Sequence, residues 1–151
     1  MIQRKQSLFL FQLVFFSIAL MLIPSVTVRS GSSEASIMMV PINHPEFSSS
    51  MGHITAIVIN FLALVLTFVT VFLFKHRDLQ IKLCYLLIFF WLVLSLMIAF
   101  CPFAESLEEP VQSSVNYLMI LMGGFAILAA ILAIRFIKKD IELLKSADRI
   151  R

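Results

Sequence analysis

His44, Glu46 and His53 are the residues of this chain whose types suit a metal ion. Two imidazoles and a carboxylate resemble part of a zinc donor set, but the spacing is not that of a zinc motif and a fourth ligand is not in view. His53 reads more simply as a residue at a membrane surface, and His76 as part of a basic turn. Ser146 and Asp148 share one turn near the C-terminus; without a general base or a pocket they read as solvated side chains. Cys84 and Cys101 lie seventeen positions apart on one apolar run, about 25 Å along a helix, too far to bond to each other. Each reads as a small apolar packing residue. The sequence holds no phosphate-cradling glycine loop, no nucleophile–base pair and no histidines inside facing apolar runs to hold a haem. The expectation is a non-enzymatic protein with no catalytic residue, no bound cofactor and no metal.

The residues that do form a pattern are charged. Six of the twelve Lys and Arg residues fall in the last nineteen positions: Arg135, Lys138, Lys139, Lys145, Arg149 and Arg151. Most of the others flank apolar runs, so orientation in a membrane accounts for the net charge of +3 before nucleic acid does. Nucleic acid is not expected as a partner.

The elements that carry these charges follow from composition. Apolar residues make up 60% of the chain and charged residues 14%, against roughly 45–50% and about 25% in soluble domains. The excess sits in long runs, which marks spans rather than a large soluble core. Four spans are expected, at about 8–28, 53–74, 81–101 and 115–137. The first has a basic start like a signal peptide, but its length and its Ser25-Val26-Thr27 sequence favour a retained span. Segments 29–52 and 102–114 read as outer loops, the longer one irregular with a short interfacial piece at 37–40. Residues 75–80 form an inner turn and 138–151 a tail. The fold class is thus all-α, a single membrane domain with four transmembrane helices in an antiparallel bundle and a cytoplasmic helical C-terminal tail.

With both ends inside, the inner segments hold eleven of the Lys and Arg residues and the outer loops only Arg29. Charge and span count therefore agree on a multi-pass protein of the cytoplasmic (inner) membrane with both termini in the cytoplasm. No span carries an ionisable residue at mid-depth, where burial costs ~2.5–3.5 kcal/mol on the insertion scale. Pumps, ion-coupled transporters and intramembrane proteases depend on such groups. Asn60 is expected to face another helix, and Trp91, mid-span, to pack between helices.

Two further patterns bear on partners. Gly123, Ala126, Ala130 and Ala133 recur at spacings of three, four and three, with Gly124 and Ala129 beside them. Such a small-residue face permits close helix approach, within this chain or with a partner helix. In the tail, Arg135, Lys138, Glu142, Lys145 and Arg149 form a charged stripe and Ile137, Ile141 and Leu144 an apolar one. That pattern fits a helix on anionic headgroups, a docking strip for a partner, or a solvated extension of the fourth helix.

On MIQRKQSLFL at the start, IRFIKKDIELLKSADRIR at the end and the four-span layout, the chain resembles a family of small inner-membrane proteins of Bacteroidetes catalogued as a domain of unknown function (number 4293). An apolar residue usually follows the first Arg in that family, where this chain has Lys5. The resemblance implies a retained first span and marks Gln3, Arg4 and the Lys138–Arg151 motif as typical; it brings no activity, substrate or cofactor. The motif comprises Gln3, Arg4, Lys138, Lys139, Asp140, Lys145, Asp148, Arg149 and Arg151, and Arg4 and Gln3 are expected to meet the tail with Asp140 or Asp148 as acidic partner. The function expected is an accessory or scaffold subunit, its partners being the lipid bilayer and a membrane protein. The alternative is a channel or small-solute transporter, a homo-oligomer whose pore is lined by Asn60, Thr67, Thr70 and Ser95.

Overall fold

The computed structural model describes residues 3–24, 26–30, 33–39, 47–74, 76–100, 104–106 and 112–149; the side chains of 3–6, 28, 30, 33–35, 37, 47–49, 104–106, 112–113, 145 and 147–149 lie outside that description. The body is all-α. Four helices, α1 (Gln3–Leu22), α2 (Met51–Phe72), α3 (Arg77–Phe100) and α4 (Tyr117–Arg149), carry nearly all of it. α1 lies against α2 and α4, and α3 lies against the same two. Three helices are long and apolar enough to cross a membrane: α2, α3, and α4 over Tyr117–Leu144. The described apolar stretch of α1, Ser7–Leu22, is shorter.

On α2 the choice of buried face inverts the rule for soluble proteins. The buried positions of α2 are His53, Ala56, Asn60, Ala63, Thr67 and Thr70, small or polar at alternating spacings of three and four. Its exposed positions include Val58, Phe61, Leu62, Val65, Phe68 and Phe72. A helix in water would turn the second set inward. Here the small set lets backbones approach, and the large apolar side chains suit a hydrocarbon solvent. On α3 the inward stripe is Gln80, Cys84, Leu87, Trp91, Leu94 and Ile98. These three-four repeats are the period of left-handed helix packing.

The interior polar groups are met mostly by backbone. Thr67 and Thr70 return their hydroxyls to Ala63 O and Leu66 O, each at 2.7 Å, and Ser95 to Trp91 O at 2.8 Å. That is how a hydroxyl is satisfied inside a span without a partner helix. Asn60 instead reaches across, its Nδ2 donating to Ser17 O of α1 at 3.2 Å. Trp91 is fully buried and meets Phe16 of α1 edge-on, the centroids 6.5 Å apart. Both expectations for these residues hold.

The small-residue face of α4 is turned inward. Gly123, Ala126, Ala130 and Ala133 are buried, and a Cβ at Gly123 would run into Ser95 Oγ and lie 3.3 Å from Ser95 Cβ. Gly124 departs from the expectation: it is exposed, with nothing within 4 Å of a Cβ built on it. One helical step of about 100° separates an inward glycine from an outward one.

The ends of the helices differ from the sequence reading in four places. The first apolar segment, expected to span 8–28, ends its helix at Leu22, and Val26–Ser30 form strand β1. The longer loop is not wholly irregular: β2 (Ser33–Ile37) and β3 (Phe47–Ser49) lie within it, and Ile37, expected to begin an interfacial piece, ends β2. The shorter loop contributes β4 (Ala104–Ser106) and β5 (Gln112–Val115), so α4 starts at Tyr117 rather than 115. β1 is the middle strand of an antiparallel sheet ordered β2-β1-β5, with Val26 opposite Ile37 on one side and Val115 on the other; β3 pairs with β4. The inner turn is also tighter than expected, because α3 already begins at Arg77.

Caps join this sheet to the helices. Ser50 accepts from His53 N at 3.2 Å as the N-cap of α2, and Asn116 Oδ1 accepts from Leu118 N at 3.1 Å at the start of α4. These side chains satisfy amides that a helix start leaves open. Asn116 Nδ2 also donates to Pro24 O at 3.0 Å, tying the end of α1 to the start of α4. His53 is buried with Nε2 2.9 Å from Met38 O, so it anchors the β2 connection. His44 and Glu46 lie outside the described residues.

The two adjacent glycines give a paired prediction. Gly123→Ala is expected to cost about 1–3 kcal/mol by overpacking against Ser95. Gly124→Ala is expected to be neutral or stabilising by up to about 1 kcal/mol, since alanine is the better helix former. Thermal midpoints in mild detergent check both; equal effects would contradict the inward and outward assignment.

Candidate functional site at the charged helix ends

An aspartate within an apolar stripe needs a cation, because an unpaired carboxylate out of water is costly. On α4 the buried positions Ala130, Ala133 and Ile137 continue, at the same spacing, to Asp140. Its partner comes from the first residue of α3. Arg77 Nη1 lies 2.6 Å from Asp140 Oδ2, with side-chain exposures of 18% and 11%. Both atoms are shielded from solvent.

Asp140, expected as an acidic partner at this end, is paired with Arg77. The side chains of Gln3, Arg4, Lys145, Asp148 and Arg149, and the whole of Arg151, lie outside the described residues. Arg77 had counted in the sequence only as one of the inner charges. The signal that marks it is the helical register of Asp140 itself, which turns inward toward whatever α3 offers.

Around the pair, polar groups close the ends of α2 and α3. Gln80 is buried and its Nε2 donates to Thr70 O at 3.1 Å. The short link between these helices is held by His76 N to Leu73 O and Gln80 N to His76 O, each at 3.0 Å. On the α1 side, Phe9 stacks on Phe136 with centroids 5.4 Å apart and rings 13° from parallel. One end of the molecule thus collects the start of α1, the end of α2, the start of α3 and the last turns of α4.

The remaining described cations of this end face outward. Lys82, Arg135, Lys138 and Lys139 are all exposed. α4 runs on without a break through Lys138 and Lys139 to Arg149. Ile141 still packs on the core, after which Glu142, Leu143, Leu144 and Ser146 are exposed. The tail is one helix with the segment before it, so it leaves along that helix's own direction.

Chemically, the pair is a clasp. Its acid and its base neutralise each other. Among the described residues no group of three or more His, Cys, Asp or Glu side chains is placed to hold a metal. Asn60, Thr67 and Thr70, the residues expected to line a pore between copies, are buried inside this single chain, and Ser95 is half-buried against Gly123.

The sequence profile of a family described as "Domain of unknown function (DUF4293)" matches residues 2–150. No curated protein and no solved structure matches the chain.

Removing one member of a half-buried pair leaves the other uncompensated, at a cost of about 3 kcal/mol. Arg77→Ala and Asp140→Ala are each expected to lower the thermal midpoint in detergent. The exchange Arg77→Asp with Asp140→Arg is expected to recover more than half of the loss. A double variant no more stable than the single ones would show that the pairing does not hold these helices.

Proposed function

The chain belongs to the DUF4293 family, and within that family we propose that it is a four-span protein of the cytoplasmic membrane, a non-enzymatic accessory or scaffold subunit that presents its C-terminal helix to a partner. In this reading the four helices form an antiparallel bundle with both termini in the cytoplasm. Eleven of the twelve Lys and Arg residues then lie on the inner side, as the positive-inside rule asks. Dimensions support it. From Tyr117 to Ile137 α4 covers about 30 Å, the thickness of a bilayer's hydrocarbon core. Exposed Tyr85 near one end of α3 and exposed Tyr117 at the start of α4 sit where interfacial tyrosines belong. The described apolar stretch of α1, Ser7–Leu22, covers about 24 Å, and its polar start at Gln3 to Gln6 belongs in this reading to the inner boundary.

The observation that carries the scaffold reading is the overrun of α4. Its last nine helical residues lie past the Arg77–Asp140 pair, beyond the first residue of α3, and those described after Ile141 are exposed. Membrane insertion does not need a further two turns of ordered helix bearing Leu143 and Leu144 outside the bundle. A binding partner does, because a preformed helix lowers the entropic cost of association. The partner is a membrane protein or a protein at the inner membrane surface.

Truncation after Ile141 keeps the Arg77–Asp140 clasp and removes only the overrun. The full chain, extracted from native membranes in mild detergent, is expected to migrate in a complex of defined size. The truncated chain, equally inserted and equally stable, is expected to migrate without it. A complex that survives truncation contradicts the docking role.

A further inference from the structure

The cross-helix contacts fix how deep each exposed cation sits. α3 and α4 run antiparallel and in step, since Arg77 meets Asp140 at one end and Ser95 meets Gly123 seventeen to eighteen residues further in. Lys82 is five residues into α3 from Arg77, and Arg135 is five residues back along α4 from Asp140. The two therefore share one depth. Lys138 and Lys139 lie within about 6 Å of that level along the helix. All four are exposed. They are also the continuation of lipid-facing stripes: Leu121, Phe125, Leu128 and Ile131 are exposed on α4 before Arg135, and Phe89 and Tyr85 on α3 before Lys82.

The anions at this level are few. Asp140 is taken by Arg77, and Asp78, exposed in the first turn of α3, is the other carboxylate of this band among the described residues. Glu142 lies just beyond, one helical turn from Lys138. Four outward cations against one outward carboxylate leave a net positive collar where apolar surface gives way to polar. At the opposite end the sole exposed described cation is Arg29.

Resting on the spanning reading above, we propose that Lys82, Arg135, Lys138 and Lys139 form a binding collar for anionic phospholipid headgroups on the outer faces of α3 and α4. Lys and Arg on long stems can hold phosphates at the boundary while their methylenes stay against acyl chains. Such residues contribute about 1 kcal/mol each near an anionic surface. Because α4 continues straight through the collar, headgroup contact falls on its exit point and not along the whole tail. The overrun stays free for a protein partner.

The full chain reconstituted in phosphatidylcholine vesicles, with trace spin-labelled phosphatidylglycerol or phosphatidylcholine, tests this by electron spin resonance. Flotation with the vesicles after alkaline carbonate washing first establishes insertion; a chain that washes off overturns the spanning reading itself. The inserted protein is expected to immobilise phosphatidylglycerol at least about twofold in preference to phosphatidylcholine. The quadruple change Lys82→Gln, Arg135→Gln, Lys138→Gln and Lys139→Gln is expected to bring the preference close to parity, while Arg135→Lys keeps it. Salt at about 0.5 M is expected to reduce the wild-type preference without any mutation. No preference in the inserted wild type, or a preference indifferent to both salt and the quadruple change, overturns the collar.

Discussion

A helix in hydrocarbon has no water to meet the polar groups it leaves unpaired, and that constraint favours turning its polar face inward. α2 shows it most plainly. Asn60, Thr67 and Thr70 are fully buried while Phe61, Phe68 and Phe72 face out. In water the arrangement would expose a large apolar surface and hide groups that water would solvate. With lipid outside, the phenylalanines would meet acyl chains, while Thr67 and Thr70 bond their own backbone and Asn60 Nδ2 bonds α1, leaving Asn60 Oδ1 without a hydrogen-bond partner.

Since lipid tails are as apolar as leucine, hydrophobicity does little to pull the helices together. Close packing and a few polar contacts have to do it. Gly123 against Ser95 sets the approach of α3 and α4 in mid-span, Trp91 fills the space beside Phe16, and Asn60 ties α2 to α1. The ends are closed differently. Arg77 and Asp140 clasp one, and Asn116 with the β2-β1-β5 sheet joins the other.

The helical layout was legible because the runs that became α2, α3 and α4 are long enough to cross a membrane, and a run of that kind has one stable backbone in lipid. The inward turn of Gly123, Ala126, Ala130 and Ala133 was legible as one of two outcomes, since spacing defines a face without naming its neighbour. Family membership, read from the two ends of the chain, is matched over residues 2–150. The strands were not legible. Val26, Thr27 and Val28 continue an apolar run without a break, and their partners in β5 lie 85 to 89 positions away. Strands of three to five residues among serines show no alternation to read. The pairing of Asp140 with Arg77 was missed for a similar reason: Arg77 is one of several cations at that end, and only the packing of α3 on α4 brings it to Asp140.

The account stands on lipid being the solvent of the outward faces. Single cysteines at Phe61 and Leu128, in a chain with Cys84 and Cys101 replaced by alanine, test that directly through their rate of reaction with a water-soluble maleimide in intact membranes. Thiolate does not form in hydrocarbon, so both should stay unlabelled until the membrane is dissolved in detergent and the chain denatured, while a cysteine at Lys139 reacts at once. Labelling at Phe61 and Leu128 as fast as at Lys139 would mean that water covers those faces, and the inward placement of the polar residues would lose its cause.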